Sequence, residues 1–199
     1  MRSRRSGQTT GLSSGTSRRW SRRRSPGVGS AAGRGRRCDG WPRSQQCRNR
    51  MGDEAMTIVN GCDLPDDLYY VVGKHVWARR EGELVTVGMT DVAQSMAKTI
   101  VAVTPKAVGR LVQKGQNIAT VESGKWVGPV SAPLSGEIVA VNDALVASPS
   151  LVNSDPYGGG WVARLRPSDW ESDVADLVTG PEGIELYRQF LDAEGITCG

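Results

Sequence analysis

The chain has 199 residues, room for one domain of ordinary size and a tail, and a formal net charge of +4 at neutral pH. The charge is unevenly spread: residues 1–50 hold 14 Arg, no Lys and one acid, Asp39, and so carry +13, which leaves −9 on the rest. An acidic body repels phosphate and argues against a nucleic-acid-binding domain, and no apolar run has the length of a bilayer-spanning helix.

Residues 1–55 read as a tail rich in Arg, Ser and Gly. Its large apolar residues, Leu12, Trp20, Val28 and Trp41, are too sparse to offset chain entropy, so disorder is expected. An organellar transit peptide shares the Arg and Ser but needs an apolar helical face that is missing here, and a secretory signal needs an apolar core that is also missing. Charge alone allows a nucleic-acid tail. The plain reading is upstream sequence from a misplaced start, with Met51 or Met56 as the true one. The expected location is the cytoplasm, or the mitochondrion if residues 1–50 are a genuine transit peptide. The four cysteines, Cys38, Cys47, Cys62 and Cys198, show no C-x-x-C spacing, and the lone His75 completes no metal set. No zinc site and no disulfide framework are expected. Cys62 and Cys198 read as terminal thiols without function, a redox pair being the alternative.

The folded domain is expected over residues 60–199. Tyr69–Val72 is strand-like, and Glu83–Met89 alternates as a second strand. Asp91, an acidic cap with Gln94 three residues on, should open a short helix through Met96. Ile100–Val103 is a β-branched strand. Short strands follow, with turns at Lys114-Gly115, Gly124-Lys125, Ser135-Gly136 and Asn142-Asp143, a spacing that suggests a sandwich or flattened barrel. Trp161–Leu165 is the last alternating strand. Pro181–Ala193 places Ile184, Tyr187 and Leu191 on one helical face, and Gly195 ends the helix.

No paired carboxylates, nucleophile elbow or phosphate-cradling loop is present, so no enzyme is indicated. The one unusual local feature is Val121-Glu122-Ser123-Gly124-Lys125-Trp126-Val127, two strand runs flanking a tight turn. A two-residue hairpin asks Gly124 for positive φ and holds Lys125 at the tip, in solvent. That presentation suits covalent modification of the amine by another enzyme, although residue type alone reads as an ordinary solvated lysine.

The segments His75-Val76-Trp77, Thr90-Asp91-Val92-Ala93-Gln94, Glu122-Ser123-Gly124-Lys125, Ser135-Gly136-Glu137-Ile138 and Leu151-Val152-Asn153-Ser154-Asp155-Pro156-Tyr157-Gly158 resemble, in order and spacing, the glycine cleavage H protein. The resemblance spans about residues 69–195. It implies a mainly β, lipoyl/biotinyl-carrier-like flattened barrel of two small antiparallel sheets with a short inserted helix and a C-terminal helix. It places the lipoic acid attachment on Lys125, with Glu122 and Gly136 read by the lipoylating enzyme. Biotin carriers flank their lysine with methionines; Gly124 and Trp126 stand here instead.

The role so implied is that of a carrier subunit. It shuttles an aminomethyl group on its lipoyl arm between glycine decarboxylase and aminomethyltransferase, and dihydrolipoamide dehydrogenase reoxidises it. The chain departs from the family at the flanks of the lysine, where Val and Ala are common, and at two positions that hold acids near the cationic amine, here Val76 and Pro129. Gly124-Lys125-Trp126-Val127-Gly128-Pro129 and Asn60-Gly61-Cys62 resemble a second branch, the H-like lipoate-binding carriers of sulfur oxidation that work with a heterodisulfide-reductase-like complex. A non-lipoylated binding module is a further alternative, against which intact Glu122, Lys125 and Gly136 argue. His75 reads as a hydrogen-bonded structural histidine, and Trp126 as a shield for the dithiolane or a residue packed on the hairpin.

Overall fold

The computed structural model describes residues 55–198; the Arg-rich tail lies outside the described residues. Strands β1 (Met56–Val59) and β2 (Cys62–Pro65) form a hairpin on Asn60-Gly61. Both turn residues have positive φ, 49° and 79°, as a tight turn with the right-handed strand twist requires. Then come β3 (Tyr69–Val71), a 3-10 turn over Val72–Lys74, β4 (Val76–Glu81), β5 (Leu84–Met89), α1 (Asp91–Ala97) and β6 (Ile100–Pro105). They are followed by β7 (Leu111–Val112), β8 (Asn117–Ser123), β9 (Val127–Ser131), β10 (Gly136–Val141), α2 (Ala144–Ala147) and α3 (Leu151–Ser154). The chain ends with β11 (Ala163–Pro167), α4 (Trp170–Val174), β12 (Val178–Thr179) and α5 (Gly180–Glu194).

Beyond the hairpin, one sheet runs β12-β3-β4-β5-β11-β10-β7 and a second β6-β8-β9, with antiparallel pairings throughout. The fold is mainly β with antiparallel sheets, as expected. The sheets remain open rather than closing into a barrel, and the first has seven strands.

The period-two alternation of β4 explains why the molecule has two cores. Val76 and Ala78 face one way, into a cluster with Val87, Val121, Val130, Ile138 and Leu165. Trp77 faces the other way, into a cluster with Leu64, Tyr70, Tyr157, Tyr187 and Leu191. Successive side chains on a strand point to opposite faces, so one strand serves both. Gly88, paired with Trp77, makes the second core possible, because a Cβ there would lie 2.6 Å from the indole ring. Each buried aliphatic or aromatic side chain contributes about 1.5–3 kcal/mol relative to exposure.

Helix α5 lays Ile184, Tyr187 and Leu191 onto that second core and stops at Gly195, whose φ is 62°, as the sequence pattern indicates. The start of α1 differs from expectation. Thr90, not Asp91, is the cap: its hydroxyl accepts from the Ala93 amide at 3.3 Å, while Asp91 occupies the first helical position and accepts from Gln94. Asp91 is thereby placed against the helix dipole and its carboxylate also takes the Asp63 amide at 2.8 Å.

The cysteine expectation is overturned. Cys62 and Cys198 form a disulfide across a separation of 136 residues. Backbone packing brings them together: the Cys198 amide donates to the Asn60 carbonyl at 3.0 Å, and a Cβ on Gly61 would lie 2.3 Å from the Cys198 carbonyl oxygen. Spacing along the chain carries no trace of this contact, which is made only when α5 returns the C-terminus to the first hairpin.

Candidate functional site

Lys125 sits at the tip of the β8–β9 hairpin, exposed, with Trp126 41 % exposed beside it. The turn is closed by the Ser123 amide donating to the Trp126 carbonyl at 2.8 Å, and the Lys125 amide donates to Ser123 Oγ at 3.5 Å. Gly124 does not take the expected positive φ. The Ser123 side chain holds the turn without a left-handed residue, and a Cβ on Gly124 would meet nothing within 4 Å. A glycine is demanded two residues past Trp126 instead. The indole lies over Gly128, where a Cβ would fall 1.8 Å from the ring. Trp126 lies just ahead of β9 and folds over its second residue, a local Trp-x-Gly signal that sequence reasoning did not use.

Next to the turn lies a cavity of about 450 Å³, within the range of small-molecule sites. Strands β4 and β5 supply Val76 and Met89 to its wall, and α1 supplies Ala93, Met96 and Ala97. The hairpin supplies Trp126, Pro129 and Val130, and Lys74, His75 and Lys125 bring the only charged or titratable groups. Among the described residues that line it, none is a carboxylate. Val76 and Pro129, the two positions where the resemblance expects acids, both face this space. The apolar walls suit a hydrocarbon arm with a sulfur ring, and Lys125 is among the residues that line the space.

His75 is held rather than free. It takes a left-handed φ of 53° at the end of the 3-10 turn, and its carbonyl accepts from the Thr90 amide at 3.0 Å. Nδ1 lies 3.5 Å from Tyr187 Oη, and the ring meets Phe190 edge-on at 5.1 Å. Burial lowers its pKa from the usual 6.5, which favours the neutral ring. A structural role fits these contacts.

The other residues singled out in the sequence fall in different places. Glu122 is half-buried on β8, paired across the sheet with Ala102 and Val127, one residue before the turn begins. Gly136 belongs to the other sheet, at the first position of β10, and does not line the cavity. Its backbone meets β11 so closely that a Cβ would lie 2.2 Å from the Arg166 carbonyl oxygen. Gly136→Ala should therefore cost about 1–3 kcal/mol and lower the melting temperature by several degrees, an unchanged melt being the contrary result. Cys62, Asp91 and Cys198 offer ligand atoms within 4.8 Å of one another, but the two sulfurs are bonded to each other and present no thiolate. Sequence reasoning missed Lys74 and Met96, which reach the cavity from a turn and a helix and share no motif with Lys125.

Comparison with known proteins identifies the family. The family described as Glycine cleavage H-protein matches residues 68–190. Glycine cleavage system H protein 5 of Aquifex aeolicus is 47 % identical over 148 residues, which cover 72 % of this chain and all of that protein. Glycine cleavage system H protein 2 of the same organism is 44 % identical over 147 residues, 73 % of this chain and 91 % of the relative. Among solved structures, a glycine cleavage system H protein from Mycobacterium marinum matches with a TM-score of 0.55 and 32 % identity, covering 67 % of this chain and all of that one. H proteins are lipoyl carrier subunits rather than enzymes, and by sequence and by fold this chain belongs to the glycine cleavage H-protein family.

Proposed function

We propose that residues 60–199 form a carrier with a lipoyl group in amide linkage on Lys125, whose cargo is neutral or anionic, as in the sulfur-oxidation branch, rather than a cationic aminomethyl group. The observation that supports it is the cavity beside Lys125, which holds no carboxylate among its described lining residues and is lined by Val76 and Pro129, the two positions where the resemblance expects acids. A half-buried ammonium without a countercharge is disfavoured. When bound, the lipoyl group supplies a redox-active dithiolane that accepts and releases cargo.

The chain does the rest. Ser123 fixes the turn that points Lys125 outward, and Trp126, seated on Gly128, walls the cavity against water. The hairpin with Glu122, and Gly136 beyond it, present the lysine to a lipoylating enzyme. In this reading the partner that loads and unloads the arm is a heterodisulfide-reductase-like complex.

The relatives' names favour a second reading, in which glycine decarboxylase, aminomethyltransferase and dihydrolipoamide dehydrogenase are the partners. Against it stands the cavity, which has no carboxylate among its described lining residues. Two measurements test the proposal. Peptide mapping of protein made in a lipoate-replete host should find one lipoyl group, on Lys125; an unmodified Lys125 peptide would refute the carrier. Given a decarboxylase and an aminomethyltransferase, the holo-protein should turn over about tenfold or more below a standard H protein. Val76→Glu with Pro129→Asp should recover part of that loss, because a close countercharge is worth about 1–3 pKa units. Wild-type turnover equal to the standard assigns the chain to glycine cleavage.

A further inference from the structure

Lys74 closes the 3-10 turn just ahead of β4, exposed, on the rim of the cavity that Lys125 also lines. It makes no ion pair among the described residues. Its two basic companions at the rim lose charge by different routes: lipoylation converts the Lys125 ammonium into a neutral amide, and burial favours the neutral ring of His75. A loaded cavity therefore retains a single fixed charge among its described lining residues, and that charge is positive. Apolar walls from Met89, Ala93, Met96 and Val130 lower the local dielectric and strengthen any interaction it makes.

We propose that Lys74 is the specificity-determining residue for cargo, and that it pairs with the anionic oxygens of a sulfur oxyanion joined to the lipoyl arm. This rests on the reading of Lys125 as the lipoyl site and names the class of cargo. The chemistry balances without an external oxidant or reductant. An anionic sulfur nucleophile such as sulfite attacks one ring sulfur of the dithiolane, and a new sulfur–sulfur bond forms to it. The ring S–S bond breaks, and the second ring sulfur leaves as a thiolate that takes a proton from water. The product carries a sulfonate at the end of an apolar arm, which the cavity can bury if a cation meets the oxygens. The ammonium of Lys74, with three donors on a flexible stem, is suited to a pyramidal oxyanion. A cationic cargo in the same place would meet Lys74 as a like charge, so one residue both attracts the first class and repels the second.

The test uses the full-length holo-protein with sodium sulfite as the probe. Intact mass first establishes one lipoyl group, and mapping of the Lys125 peptide then measures how much of it is sulfonated at equilibrium, separately from any attack on the Cys62–Cys198 disulfide. Lys74→Met should lower the equilibrium constant for sulfonation about three- to tenfold, the range for a single charge pair at a partly solvated site. Lys74→Arg should restore most of it, and Lys114→Met, a cation engaged with Asp173 and Asp176 elsewhere, should leave it unchanged. The wild-type advantage should shrink as salt is raised. A lipoylated chain whose sulfonation is the same with Lys or Met at position 74 overturns this proposal alone. A chain that never acquires the lipoyl group overturns the carrier reading and this one with it.

Discussion

Lys125→Arg is expected to yield a folded chain with no lipoyl group and no group-transfer activity of any kind. The loss is complete rather than graded because the linkage is an amide on Nζ, and a guanidinium stays protonated across the whole useful pH range and offers no nucleophilic lone pair. Positive charge, length and exposure are all retained, so nothing else in the hairpin changes. The Lys125 side chain is exposed and makes no hydrogen bond among the described residues, while its backbone amide donates to Ser123 Oγ. Stability should therefore stay within about 0.5 kcal/mol of the parent, as for other surface substitutions. Intact mass and a thermal melt on the same sample separate the two effects. Residual lipoylation in the variant would place the attachment on another lysine and remove the basis for the cavity's role.

Breaking the Cys62–Cys198 bond should cost more stability than any other single change outside the cores. In the chain-entropy description, a cross-link spanning more than about 100 residues removes close to 5 kcal/mol from the unfolded ensemble, and loss of a native bridge typically costs about 2–5 kcal/mol. The separation here is 136 residues. For a domain of this size the melting temperature of Cys198→Ser, or of the reduced wild type, should fall by about 5–15 °C. Part of the docking survives without the bond. Asn60 Nδ2 still donates to Asp192 Oδ1 at 2.9 Å and to the Ile196 carbonyl at 3.4 Å. Lipoylation should be unaffected, since the β8–β9 turn is closed by its own Ser123 contacts. A melt that does not respond to reductant would show that the bridge adds nothing to those hydrogen bonds.

What the sequence revealed depended on how local the determining physics was. The alternation of Leu84–Met89, the apolar face of α5 and its stop at Gly195 are all written within one turn or one strand, and they were legible. The hairpin tip at Lys125 was legible for the same reason. The Asn60-Gly61 turn carries an equally local signal, although the strands around it are too short and too mixed in polarity to stand out. The start of β11 was set two residues early: the Asn142 side-chain amide donates to the carbonyls of Gly159 and Trp161 at 2.8 Å, a contact from a distant turn that marks an irregular lead-in, and the strand itself begins at Ala163. The disulfide entered the sequence reading only as the less favoured alternative of a Cys62–Cys198 redox pair, and the cavity was not legible at all. Both assemble residues from opposite ends of the domain, or from a turn, a helix and two sheets, and neither leaves a periodicity in the chain.

The disulfide also decides how the domain would bear mechanical load. It ties a point just past the first hairpin turn to the last residues of the chain, so that 136 residues of separation lie inside one covalent ring. Tension applied between the N-terminal tail and the C-terminus passes from Cys62 straight to Cys198. The seven-stranded sheet, the β6-β8-β9 sheet and the Lys125 hairpin lie in the slack branch of that ring, outside the direct line of force. Only β1, the strand on the tail side of Cys62, is in the force path, and a pull from both ends would peel that strand away and then stop, leaving the carrier hairpin folded.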